Sequence, residues 1–524
     1  MIYRNPVIRG FYPDPSVCEY NGKYYLAASS FQYFPGVPLF ESEDLINWEQ
    51  IGHVLTRNSQ VMLDKVRSSG GVFAPTLRCH NGRFYMVTNN NSTNENFYVY
   101  TDDIYGEWSE PVVVDQEGID PSLFFDENGE AFFISNGTGS DGKPGVFQCK
   151  INIDTGERLT DSVRIWCGSG GRYLESPHMY KIGDYYYLMA AEGGTEYGHM
   201  VTLSRAKDIW GGFENCPFNP VLTNRNRAPY LIQGIGHGDL IKRDDGQWFI
   251  VTLGFRQIDL WEPYHTLGRE VYLTPVTFID NGSDKNWFKC GCGETEGTTD
   301  ECYEIAGDTV QKRKNVFTFD NTSWNIEWAY LRQHHPEKYK LTDVAELIGT
   351  EITLEDVDSP TFIAMRQIDF DMKLCCRLHA EFDAADSCIP EAGITIYMCE
   401  KEHYDIALRK KDDGIYASLK LNIGDIKHVE NEIRISDSTE TADAILEVES
   451  DSLEYRFYVE VTEKTAGKTG SEKSDEDYER IYLGKGRSKY LSSEVSSGFT
   501  GVMTGLYAIG NVTACFEDYK CLYD

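Results

Sequence analysis

Three acidic residues open three copies of one repeated pattern. Asp14 begins DPSVCEYNGKYYLAAS, Asp120 begins DPSLFFDENGEAFFIS and Glu175 begins ESPHMYKIGDYYYLMAA. Two further copies start at Ala74 (APTLRCHNGRFYMVT) and at His237 (HGDLIKRDDGQWFIVTLG). Asp-Pro-Ser taken alone is a common turn opener. Three acids in one register of a repeat are a different matter, because units arranged about an axis bring equivalent positions to one place. A carboxyl kept protonated can donate to a leaving oxygen while an ionised one activates water on the opposite face. Splitting a glycosidic bond needs that combination. Neighbouring negative charge also disfavours ionising a further carboxyl, so a cluster of three can keep one of its members protonated.

The elements that would carry these residues are strands. Each copy reads as a hairpin: an apolar strand, a tight Asn/Asp/Gly turn, then a strand rich in Tyr, Phe or Trp. Copies start about 45 to 60 residues apart, the size of a four-stranded propeller blade. A weaker repeat, SEDLINWEQIG from Ser42, TDDIYGEWSEPVVV from Thr101 and AKDIWGGFENCP from Ala206, supplies outer strands. The chain is therefore expected to be all-β, with a five-bladed β-propeller over residues 1–290. A polar, Gly-rich linker follows over 291–316, and a concanavalin-like β-sandwich over 317–524, where alternating strands resume without the repeat. The run KTAGKTGSEKSDED from Lys464 has the composition of a mobile surface loop.

Composition narrows the partners. Of 524 residues, 41% are hydrophobic and 13% aromatic, as in a folded protein, and the formal net charge is −34. That field repels phosphate backbones and anionic lipid, which argues against nucleic acid and membrane, but it leaves a neutral sugar free to approach. The start MIYRNPVIRGFYPDPS has no apolar core of signal-peptide length, and no run approaches ~18 apolar residues. The fourteen cysteines are scattered, with a vicinal pair at Cys375 and Cys376. Cys290, Cys292 and Cys302 lack a Cys-x-x-Cys pair or a nearby His that would complete a zinc site. Reduced thiols and a cytoplasmic location are expected.

Longer motifs carry a resemblance to glycoside hydrolase family 43. They are GFYPDPSV around Asp14, SSFQYFPGVPLFESEDLINWEQIGHVLTR from Ser29, GGVFAPTLR from Gly70 and GIDPSLFFD around Asp120. To these add GGRYLESPHMY around Glu175, AEGGTEYGHMVTLSRA from Ala191 and TLGREVYL around Arg269. The similarity is greatest to the β-xylosidase and α-L-arabinofuranosidase branch that carries a C-terminal sandwich. It implies an exo-acting, inverting hydrolase that releases terminal pentose from short xylan or arabinoxylan fragments. Asp14 would be the general base, Glu175 the general acid, and Asp120 the residue that orients the acid and keeps its pKa high. Phe31, Phe73, Thr195, His237, Arg269 and Phe499 would contact the sugar, Phe499 by closing the pocket from the sandwich. No cofactor is implied for the chemistry. Some relatives hold a structural calcium through water near the residue matching His237, and a homo-oligomer is compatible with the pattern. The family's usual Glu-Gly-Pro-His is ESPH here. Ser176 would strain the turn if that position needs a positive φ, unless its hydroxyl bonds Glu175 or the sugar. The competing expectation is a non-catalytic, carbohydrate-binding propeller. A protein-interaction propeller of the WD type would carry Gly-His and Trp-Asp signatures, which are missing.

Overall fold

The computed structural model describes residues 1–261, 263–280, 282, 284–307, 310–319, 324, 326–383, 388–462 and 478–524. The run from Lys464 to Asp477 lies outside them. Five four-stranded antiparallel sheets follow one another along the chain. Blade I comprises Ser16–Tyr20, Lys23–Ala27, Gly36–Ser42 and Glu49–Leu55, and blade II begins with Thr76–His80 and Arg83–Asn90. Blade III begins with Ser122–Phe125, blade IV with Glu175–Ile182 and Tyr185–Glu192, and blade V with Ile232–Lys242. Every strand of a blade pairs with its sequence neighbour, so each hairpin of the repeat becomes the inner half of one blade. The N-terminal segment closes the ring on blade V, where Ile8 bridges Val271 and the Tyr12 N–H donates to the Arg269 carbonyl.

Two eight-stranded sheets follow, face to face as a concanavalin-like sandwich. Alternation along Met372–Phe382 (MKLCCRLHAEF) shows how its core is built: Leu374, Cys376, Leu378 and Ala380 are buried while Lys373 faces out. The two domains share secondary structure. Tyr33–Phe34 from the propeller pairs with Ala329–Leu331 at the edge of one sandwich sheet. Segment 291–316, read as a linker, is also partly structured, since Cys302–Glu304 pairs with Ile2–Arg4. One apolar cluster joins Phe11, Phe31 and Tyr33 of the propeller to Phe362, Tyr397, Met503 and Tyr507 of the sandwich. At ~25 cal/mol per Å² of apolar surface, such a shared core makes the domains cooperative partners.

The axis is held by side chains two residues past Asp14, Ala74, Asp120, Ser176 and His237, and they bond across all five seams. Ser16 donates to Asp239 (2.6 Å), joining blades I and V. The Leu77 N–H donates to Ser16 Oγ (3.0 Å), and Thr76 Oγ1 to the Pro121 carbonyl (2.9 Å). Ser122 donates to the Pro177 carbonyl (2.5 Å), and His178 Nδ1 lies 3.0 Å from Asp239 Oδ1. Asp239, wholly buried, also accepts from Arg78, the Tyr180 hydroxyl and the Val17 N–H. Burial alone would raise its pKa, but Arg78 and His178 hold it well below the usual carboxylate range.

The chain pivots into four of the five inner strands through left-handed backbone. Asp14, Asp120, Ser176 and His237 have φ of 56°, 50°, 55° and 46°. This corrects the repeat register. The position equivalent to Asp14 and Asp120 in blade IV is Ser176, each of the three preceding a proline, and Glu175 stands one residue earlier, in the place of Phe73. A β-bulge between Glu175 and His178 accompanies the shift. Ser176 is 1% exposed, and its Oγ has no hydrogen-bond partner in the protein. The anticipated bond from this hydroxyl to Glu175 is not formed. Left-handed φ costs a residue with a Cβ roughly 1–2 kcal/mol, and an unpaired buried hydroxyl costs a further ~1–3 kcal/mol. Glycine would lose about 0.4–1 kcal/mol through the entropy of the unfolded chain. Ser176→Gly is therefore expected to stabilise the protein by roughly 1 kcal/mol, read as a higher midpoint of thermal or urea unfolding. A lower midpoint would show that the serine is favourable where it stands.

Candidate active site

Asp14 is fixed by its pivot and by three partners. Ser29 donates to Oδ2 at 2.5 Å, Arg269 Nη1 donates to Oδ1 at 3.0 Å, and His237 Nδ1 lies 3.5 Å from the same oxygen. Burial pushes the carboxyl up, but the Arg269 charge, with His237 and the Ser29 hydroxyl, outweighs it and holds the pKa below the ordinary value. Asp14 is thus held ionised, with a partner on each carboxylate oxygen.

Glu175 has the opposite environment. It is half-buried, and burial first, then the negative charge of Asp14, pushes its pKa up to about 7, with Arg269 opposing. Asp120 is buried and accepts the Ser176 N–H at 3.1 Å. It too is raised well above its usual value, by burial and by the charges of Glu175 and Asp14. Asp120 and Glu175 therefore compete for ionisation, and protonation is favoured on this side of the funnel. The Ser176 N–H links the two: it positions Asp120 against the peptide that follows Glu175.

Arg269 is the joint of the site. Besides Asp14, its Nη1 donates to Thr195 Oγ1 (2.8 Å) and its Nη2 to the Phe499 carbonyl (3.3 Å). The guanidinium lies 5.7 Å from the Phe31 ring centre and 5.8 Å from that of Phe499. Phe31 stacks on Phe499 across the domain boundary (6.3 Å, 28°) and meets Phe73 at 5.3 Å. Phe499 is 41% exposed, and its N–H receives further support from Ser69 Oγ (2.8 Å). The structure thus brings Asp14, Thr195, His237, Arg269, Phe31, Phe73 and Phe499 into one contiguous group, and the charge of Asp14 acts electrostatically on Glu175 and Asp120. A cavity of about 410 Å³ adjoins it, lined by Thr195, Tyr197, His265, Arg269, Glu494 and Phe499 among others.

Sequence reasoning missed Ser29, the Arg78–His178–Asp239 hub and the buried His199, whose pKa burial lowers to about 3. Asp239 had a readable signal, being the blade V counterpart of Ser16, Thr76, Ser122 and His178. Ser29 was readable from its hairpin, because it ends the first repeat copy and the register that pairs Ser16 with Ala27 sets it opposite Asp14. Calcium near His237 fits poorly. One of the His237 ring nitrogens faces Asp14, and the neighbouring axial carboxylate spends both oxygens on Arg78, His178, Tyr180 and Ser16. Among the described residues no group of three His, Cys, Asp or Glu side chains could hold a metal ion.

Comparison with known proteins agrees with this geometry. Residues 3–283 match the family model for glycosyl hydrolases family 43, and residues 316–520 match the β-xylosidase C-terminal concanavalin A-like domain. The chain is 33% identical to a non-reducing end α-L-arabinofuranosidase of Bacteroides ovatus, over 99% of this chain and 95% of that protein. It is 31% identical to a xylosidase/arabinosidase of Butyrivibrio fibrisolvens, over 98% and 96%. Among solved structures, xylan β-1,4-xylosidase from Bacillus halodurans superposes with a TM-score of 0.87 at 25% identity, covering 99% of this chain and 100% of the other. With both domain models matched in order and the acid-lined funnel in place, the chain belongs to glycosyl hydrolases family 43.

Proposed function

We propose that this chain is an exo-acting, inverting pentosidase that releases β-D-xylose, α-L-arabinofuranose or both from the ends of short xylan- and arabinoxylan-derived oligosaccharides. The observation that carries this reading is the opposite displacement of two carboxyls in one funnel. Asp14 is held ionised by Arg269, while Glu175 is pushed up to about 7 and stays largely protonated below that pH. A module that only binds sugar has no use for such a difference. The names of the relatives, arabinofuranosidase and xylosidase/arabinosidase, support pentose as the sugar released.

In this mechanism Asp14 accepts a proton from water as the water attacks the anomeric carbon. Glu175 gives its proton to the departing oxygen on the opposite face. Asp120 holds the peptide after Glu175 through the Ser176 N–H, while the charge that raises Glu175 is that of Asp14. Arg269 keeps Asp14 ionised and, with Thr195, presents donors and an acceptor to sugar hydroxyls. Phe31, Phe73 and Phe499 form an apolar wall, and Phe499 from the sandwich closes the funnel, which suits a chain end better than the middle of a polymer. No step requires a metal. Thiols buried in strand cores, such as Cys18, Cys149 and Cys376, support the cytoplasmic placement.

Two outcomes test the assignment. With wild type, kcat/KM should hold from pH values below the ordinary carboxylate range, because Asp14 stays ionised there, and should fall as pH rises through about 7, because Glu175 loses its proton. A rate that keeps rising above that pH would remove Glu175 from the acid role. Glu175→Ala should lose about 10² to 10⁴ in rate on a poor leaving group, and far less on a dinitrophenyl glycoside, which departs without a proton. Equal losses on both substrates would show that Glu175 does something else.

A further inference from the structure

The turn that enters blade IV holds one side chain in an unusual way. Tyr173 has φ of 56°, and the residue is 60% exposed. A bulky residue adopts left-handed backbone only where the surroundings impose it, and such outliers gather at functional sites. Everything around Tyr173 is tied down. Ser169 and Gly171 donate backbone N–H groups to Glu192 at 2.6 and 2.5 Å, and Ser169 Oγ and Thr202 Oγ1 donate to the same carboxylate. Glu192 is wholly buried at the end of the second strand of blade IV. The Arg172 carbonyl accepts the Gly193 N–H (2.8 Å), and the Leu174 carbonyl accepts Asn136 Nδ2 (2.9 Å). Leu174 is buried. The turn is thus anchored on both sides of a single exposed aromatic ring, two residues before Glu175.

The ring lies against the bare backbone of Gly194, where an added Cβ would come within 3.1 Å of Tyr173 Cδ2. The next residue, Thr195, bonds Arg269. Tyr173 therefore stands at the mouth of the same funnel, on the side of Glu175. The Arg172 guanidinium lies 5.1 Å from the ring centre, and the residue stays largely open to solvent.

Resting on the function proposed above, we infer that Tyr173 is the stacking platform for the leaving group, and that the leaving group is itself a sugar ring. An acid that protonates the glycosidic oxygen lies beside the sugar about to depart. An aromatic face next to that acid meets the C–H face of a pyranose, burying apolar area that a simple alcohol does not have. The substrates favoured are oligosaccharides in which the terminal sugar is attached to another ring.

The test compares two leaving groups. One substrate is a disaccharide whose terminal sugar the wild type releases; the other is the corresponding glycosyl fluoride, which has no leaving ring. Tyr173→Ala should lower kcat/KM on the disaccharide about fivefold to tenfold more than on the fluoride, chiefly through KM, and Tyr173→Phe should restore it. Equal losses on the two substrates, or no loss on either, would overturn the platform. Direct binding of xylobiose to Asp14→Ala and to Asp14→Ala/Tyr173→Ala, measured by calorimetry, keeps this separate from the catalytic reading. Weaker binding by the double variant supports the platform and equal binding contradicts it, even should the wild type prove to cleave neither a xyloside nor an arabinofuranoside.

Discussion

The buried carboxylate of Asp239 and the ring of bonds around it are what the rest of the molecule depends on. Five blades meet at the axis, and each seam there is closed by a residue two places past the pivot: Ser16, Thr76, Ser122, His178 or Asp239. A charge this deep is tolerable only when it is paired and its oxygens are satisfied, and Arg78 with four further partners meets that condition. Because the seams are fixed at the axis, the pivots two residues earlier are fixed as well. The left-handed turn then throws the side chains of Asp14, Asp120 and His237 toward the funnel. Catalytic geometry in this fold is inherited from the packing of its hub.

A second dependence runs through Arg269. One guanidinium touches Asp14, Thr195 and the Phe499 carbonyl, so the electrostatics of Asp14 and the contact with the sandwich are set by the same side chain. The sandwich is therefore part of the site. It contributes Phe499, takes an edge strand from Tyr33–Phe34 and shares an apolar core with the propeller. Removing it would strip the funnel wall and leave Arg269 with one partner fewer, a combined structural and catalytic loss.

Much of this was legible in the sequence because a repeat is a geometric statement. Five hairpins of one pattern specify five blades, and alternation in MKLCCRLHAEF specifies a sandwich strand without any tertiary information. The repeat was read one residue out of step at blade IV, where the acid of ESPH was matched to the aspartate of DPS. Proline following the pivot was the better guide, and a β-bulge absorbs the difference. Interactions that join residues far apart in sequence were out of reach. Arg78 reaches Asp239 only across the axis, and the source of the raised Glu175 pKa is burial followed by the Asp14 charge, which no local pattern encodes. Tyr173 sits within a motif that is plain to see, yet its left-handed backbone and exposure appear only in three dimensions.

The central claim is that Asp14, ionised, activates water on the face opposite to the proton held by Glu175. The stereochemistry of the first sugar released reports on it most directly. Proton NMR recorded before mutarotation should show the anomer opposite to that of the substrate. First release of the anomer with the substrate's own configuration would mean that a carboxylate attacks the sugar itself, and would contradict the account.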